Sequence, residues 1–179
     1  MSLQYISIIL GILATGGGVL GFFRPDLVKR FAELFPRSVI PAWIFTALCC
    51  WLGAKEALSM NMGFLDAYKK FIYVLSPAVF VASVVYMKEL LAPRALGGFL
   101  LLIAVPIVRT ASLSGAPYFQ ILVAVVYLWV IYGMVLLFSP WYFRKTYSVI
   151  LNHDGIFRGV ALTKTAAGIL FLVLGLFVY

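Results

Sequence analysis

The sequence predicts an all-α, polytopic integral membrane protein with about six transmembrane helices and two short amphipathic interfacial helices. Three observations predict it. Of the 179 residues, 64% are hydrophobic and 11% charged, against about half and about a quarter in a soluble domain. The apolar residues form continuous runs, such as Ile121 to Val126 and Ile169 to Val173, whereas a transmembrane barrel alternates in segments of about ten residues. The few charges cut the chain into six runs approaching the roughly 20 residues that cross a ~30 Å hydrocarbon core. Together these exclude a soluble globular enzyme and also disorder, which needs low hydrophobicity and high charge. The length suits a single transmembrane domain, 1–179.

The first run, Leu3 to Phe23, carries no charge. A cleaved signal peptide begins with a basic region, but here the basic residues Arg24, Lys29 and Arg30 follow the run. A retained helix is the expectation. From Pro25 to Phe35, Leu27, Val28, Phe31, Leu34 and Phe35 share one helical face and Asp26, Lys29, Arg30 and Glu33 share the other. That pattern predicts a short helix lying in the membrane interface, with Pro25 suited to its first turn.

The second span runs from Val39 to about Ala54, extendable past Lys55 and Glu56, and the third from Phe71 to Met87. The fourth, Ala95 to Val108, has 14 residues between Arg94 and Arg109, or about 21 Å of helix, short of the hydrocarbon core. The fifth, Tyr118 to Phe138, is charge-free. Ser139 and Pro140 then open a second amphipathic segment, with Tyr142, Phe143, Tyr147, Ile150 and Leu151 against Arg144, Lys145, Ser148 and Asn152, and with Gly155 as its stop. The sixth span runs from Gly159 to Tyr179, interrupted by Lys164.

Charge sets the expected orientation. Ten basic residues flank loops one, three and five (24–38, 88–94 and 139–158, with Lys164), and four lie on the opposite side. The positive-inside rule then places these loops in the cytoplasm and both termini outside, in the cell (inner) membrane. The net charge of +8 is mostly a topology signal. A nucleic-acid partner would need a basic face on a folded domain, and none is foreseen. An acid followed by an arginine precedes each even-numbered span, as Glu33 with Arg37, Glu89 with Arg94 and Asp154 with Arg158. This raises a weak repeat of helical hairpins over 1–59, 68–110 and 117–179, against the plainer reading that basic residues gather at cytoplasmic helix ends.

Few residues offer chemistry. Cys49 and Cys50 are adjacent within a span and read as small packing residues. The single histidine, His153, stands beside Asp154 without a nucleophile or pocket to make a catalytic pair. No cofactor or metal site is expected. Three charges are the candidate functional residues. Arg109 either snorkels to the outer interface or, if the helix continues through Ala111 and Leu113, is buried as an anion or headgroup site or as a pairing site with a partner subunit. Glu56 follows Lys55 near the outer end of the second span, and a local ion pair there is preferred to a proton relay. Lys164 is read one or two turns inside the sixth span. Ala14, Gly17, Gly18 and Gly21 form a small-residue face for close helix packing, within the chain or against a partner. Trp43, Trp141, Tyr5, Tyr68 and Tyr142 fall near span ends as belt residues.

These features favour a non-catalytic accessory or structural subunit of a larger membrane complex, with the lipid bilayer and other membrane subunits or further copies of itself as partners. The alternatives are a small transporter or channel for an ion, anion or lipid, and a lipid-modifying membrane enzyme. The first predicts co-purification with a complex; the second predicts flux that changes in Arg109→Ala.

Overall fold

Continuous apolar runs in lipid must satisfy their own backbone hydrogen bonds, and helices do so within each segment. The computed structural model describes residues 3–61, 63–86, 91–139 and 141–179, with only the backbone at Arg37, Phe64, Leu65 and Arg144. Those residues form helices and no strand. Six of the helical segments are long and apolar enough to cross a membrane. The protein is therefore all-α and of the multi-pass membrane type.

Helix α1 is Leu3–Phe23 and α2 is Pro25–Leu34, extended by a 3-10 turn at Phe35–Arg37. Helix α3, Val39–Ser59, continues through Lys55 and Glu56. A 3-10 segment, Gly63–Phe71, leads into α4, Ile72–Tyr86, so the third span begins as a tighter helix than the sequence implies. Met87, Lys88, Glu89 and Pro140 lie outside the described residues. Helix α5 is Leu91–Leu113, α6 is Phe119–Phe138 and α7 is Trp141–Asn152. Helix α8, Asp154–Phe177, starts five residues before the expected Gly159. Gly155 therefore lies inside α8, and the break after α7 falls at His153.

The largest revision is α5. Its 23 residues contain both arginines that bounded the expected span. Arg94 is helical and belongs to α5, not to a loop, just as Arg158 and Lys164 belong to α8. A charge in an apolar sequence marks a helix end only when the backbone also stops there, and at Arg94 it does not.

Two compact units are distinguished by contact. Unit 1 comprises residues 1–34, 104–129 and 143–179, and unit 2 comprises 35–103 and 130–142.

In unit 1 the dominant contact is α1 against α8. The pairing runs antiparallel: Gly11 faces Leu172, Gly18 faces Thr165, Gly168 faces Thr15, and Gly175 faces Ile8 and Ser7. The two helices carry the same Thr-x-x-Gly spacing, Thr15 to Gly18 and Thr165 to Gly168, and each glycine receives the other helix's threonine. Without a hydrophobic driving force in lipid, such close approach of backbones supplies the van der Waals contact that holds spans together. The predicted face is thus occupied by α8 at Gly18 and Gly21, while Gly17 lies under the Lys164 side chain; Ala14 is half-buried.

Helix α2 is tied to the start of α8. Lys29 Nζ donates to Asp154 Oδ1 at 2.7 Å and lies 5.5 Å from the Phe157 ring centroid. On α2, Leu27, Phe31 and Leu34 are exposed while Ala32 is buried. On α7, Phe143 is buried and stacks on Tyr147 at 4.4 Å, and burial pushes the Tyr147 phenol pKa up. The Lys29–Asp154 pair is exposed on the carboxylate side, and such pairs contribute little to global stability. Lys29→Ala is accordingly expected to leave the melting temperature in detergent nearly unchanged but to speed limited proteolysis within 24–38. A large fall in melting temperature would show that the pair holds more than α2.

In unit 2, α3 buries Ala42 and Thr46, and Phe45 sits between Phe35 and Phe99 at ring distances of 6.2 and 5.4 Å. Gly97 and Gly133 face one another across α5 and α6. The first turns of α5 are well packed, with Leu91, Ala92, Pro93 and Ala95 buried. Helix α4 is the opposite case: no residue of Ile72–Tyr86 is buried.

Candidate functional site

Within α3, six small or compact residues recur at helical spacing: Thr46, Cys49, Cys50, Gly53, Ala54 and Ala57. At offsets of three and four they share one face. Helix α4 turns Ser76, Val79 and Ser83 toward that face, and the start of α5 brings Arg94, Ala95 and Gly98 to it. The side chains on α3 are too short to fill the space, and an open groove of about 510 Å³ results. Its lining is overwhelmingly apolar, and its volume lies within the ~300–1,000 Å³ typical of small-molecule sites.

Two hydrogen bonds fix the register of its walls. Cys49 Sγ–H donates to the Ala95 carbonyl at 3.3 Å, joining α3 to α5. Ser76 Oγ–H donates to the Cys50 carbonyl at 3.0 Å, joining α4 to α3. The two cysteines are free thiols. Cys49 therefore acts as more than a packing residue, because its weak donor sets where α5 stands beside α3.

That register has a consequence for Arg94. Cys49 is the central residue of the 21 in α3, and Ala95 lies level with it. Arg94 is thereby placed level with the middle of α3, about 15 Å from either end of that helix. The side chain is half-buried, its Nε is buried, and Nε has no hydrogen-bond partner among the described residues. No acid pairs with it among those residues. A guanidinium cannot lose its charge, and a cation set among apolar helices is costly unless it finds a partner. Arg94 is the group in the groove whose position calls for a chemical reason.

The candidates foreseen from sequence fall elsewhere. Arg109 is exposed on α5 although the helix does continue past it to Leu113; Thr110 Oγ1 donates to the Pro106 carbonyl one turn back at 2.8 Å. Lys55 lies 5.8 Å from the Trp51 ring centroid rather than on Glu56, and the half-buried Glu56 carboxylate has no ion-pair partner among the described residues. Lys164 is ten residues into α8 rather than one or two turns, with its Nζ 2.8 Å from where a Gly17 Cβ would stand. Nearby in unit 1, Thr15 Oγ1 and Ser7 Oγ are buried without a hydrogen-bond partner among the described residues. His153 Nδ1 lies 3.2 Å from the Val149 carbonyl, and Asp154 is held by Lys29, so the two do not pair with each other. Among the described residues, no cluster of three His, Cys, Asp or Glu side chains is arranged to hold a metal ion.

Sequence reasoning missed Arg94 because it read the residue as a helix end. The α3 stripe was visible, but small residues more often bring helices together than hold them apart. Only the placement of α4 turns that stripe into a wall. Compared with known protein families, with curated proteins and with solved structures, the chain matches none.

Proposed function

We propose that the chain is a non-catalytic multi-pass membrane protein that admits an amphiphile from the bilayer into the groove of unit 2, which puts it nearer the small transporters and lipid carriers than the enzymes. The observation that carries this reading is the groove itself. It is built within apolar helices, sized for a small ligand, and lined by few polar groups, two of which, Cys49 and Ser76, are spent on holding the walls together. A water-soluble substrate would need more polar contacts than the remaining walls offer.

Gly53 allows a direct test. A methyl group there would find nothing closer than Leu102 Cδ1 at 3.9 Å, and the position lines the groove. Gly53→Phe is expected to fill the groove without a backbone collision. Native mass spectrometry after gentle extraction should show a bound amphiphile on the wild type and its loss from Gly53→Phe, with both proteins monodisperse. Equal lipid retention by the two would overturn the reading.

An accessory-subunit role keeps one observation in its favour: α4 buries no residue within the chain, leaving the side of that span away from α3 open to another protein. The glycine face of α1 no longer argues for such a partner, since α8 covers it.

A further inference from the structure

We infer that the groove of unit 2 is specific for an anionic amphiphile, whose carboxylate or phosphate headgroup binds Arg94 and whose tail lies along α3 and α4. The inference rests on the proposed function and names the ligand class for the same site. Its first support is the mismatch between Arg94 and its surroundings. Leu91, Ala92, Pro93 and Ala95 beside it are buried and apolar, and its Nε lacks a partner among the described residues. A buried donor on a permanent cation is stabilised most by an anion, and the guanidinium fork matches the two oxygens of a carboxylate or phosphate.

The second support is position. The groove continues past Arg94 toward Ala57 on α3 and Ile72 on α4. By the register of Cys49 with Ala95, that is about nine residues of α3, or roughly 13 Å, of almost entirely apolar wall. A charge at one part of an apolar channel matches a molecule with one anionic end and a hydrocarbon remainder. Free phosphate or another small anion would meet Arg94 but leave that wall without a partner, and would forgo the burial of apolar surface that drives such binding.

The third is charge number. The groove holds a single cation and no carboxylate among its lining residues. A zwitterionic headgroup would bring its own ammonium beside the guanidinium, with no acid among the described lining residues to receive it. Discrimination between anionic and zwitterionic lipids is thus built into the lining by repulsion as well as attraction.

The test uses the full chain in phosphatidylcholine vesicles containing a diazirine-tagged phosphatidic acid or a diazirine-tagged phosphatidylcholine, with the labelled peptides mapped by mass spectrometry. Phosphatidic acid should label residues 46–57 and 72–83 at least about tenfold more than phosphatidylcholine does, the scale of one charge-assisted contact. Arg94→Gln should abolish that preference, and Arg94→Lys should restore part of it by returning the charge without the fork. Inorganic phosphate added in excess should not compete; if it displaces the probe, the ligand is a soluble anion and the inference is overturned. Equal labelling by both lipids, unchanged in Arg94→Gln, overturns the anionic specificity but leaves the amphiphile reading standing. Absence of groove labelling by either lipid overturns both. Should Arg94→Gln fail to fold, Arg94→Lys and the phosphate competition still decide the matter on folded protein.

Discussion

Gly168→Val separates α1 from α8 and destabilises unit 1 by about 3 kcal/mol, the upper end of what overpacking costs. A Cβ at Gly168 would collide with the Oγ1 and backbone N of Thr15 and stand 2.9 Å from its Cα. Backbone cannot swing aside as a side chain does, so the helices must move apart along their whole seam. Gly18→Val should behave alike, because its Cβ would meet Thr165 Oγ1 and lie 2.8 Å from the Thr165 backbone N. The same chemistry elsewhere on α1 should do little. Gly21→Ala would touch Ala161 Cβ at 3.4 Å, an ordinary contact, and Gly17→Ala would displace only the mobile end of Lys164. Gly16→Ala meets nothing within 4 Å and should be neutral or more stable by up to about 1 kcal/mol, since alanine is the better helix former. Reversible unfolding in mixed micelles gives the order directly. A loss at Gly16 equal to that at Gly168 would refute the antiparallel α1–α8 seam.

That series shows where the sequence is readable and where it stops. The small residues Ala14, Gly17, Gly18 and Gly21 announce that something packs closely on α1, because only a missing or minimal side chain admits another backbone. It does not announce what. The neighbour is the last helix in the chain, and the clue to it is the shared Thr-x-x-Gly spacing at Thr15 and Thr165, which acquires meaning only once the two are seen in register. The spans were legible for the same reason they are spans: apolar runs of about 20 residues have no other stable form in lipid. Their ends were legible where a proline or a change of face coincides with the boundary, as at Pro25, and illegible where a charge sits on an unbroken helix. Arg94, Arg109 and Arg158 all lie inside helices. Hydropathy registers the cost of a charge, whereas the backbone answers to hydrogen bonding, and at these residues the two disagree.

The candidate groove was illegible for a further reason. Cys49 and Cys50 carry no motif, and Ser76 and Ser83 are unremarkable in a span. Their joint position depends on two hydrogen bonds between segments 26 and 46 residues apart. No local pattern encodes such a register, although each donor must find some partner once it is away from water.

Gly97→Ala and Gly98→Ala, substitutions at adjacent residues, are expected to give opposite results. At Gly97 a methyl group would stand 2.6 Å from the Gly133 carbonyl oxygen, 3.0 Å from Leu136 Cβ and 3.2 Å from the Leu137 backbone N. The approach is reciprocal, for a methyl at Gly133 would lie 2.9 Å from the Gly97 carbonyl oxygen. Gly97→Ala should therefore push α5 off α6 and cost about 1–3 kcal/mol. At Gly98 the new methyl would rest 3.4 Å from Cys49 Sγ and 3.8 Å from Leu137 Cδ1. That contact is within reach of a small adjustment and preserves the fold. Gly98 also lines the groove one turn from Arg94, so Gly98→Ala should narrow the space beside the guanidinium and weaken amphiphile retention with stability intact. The pair thus separates fold from site at two neighbouring residues. It also checks the rotation of α5 about its own axis, since one glycine faces α6 and the next faces α3. Equal destabilisation by the two variants would mean that this rotation is wrong. Arg94, one turn earlier on the same helix, would then no longer be aimed into the groove.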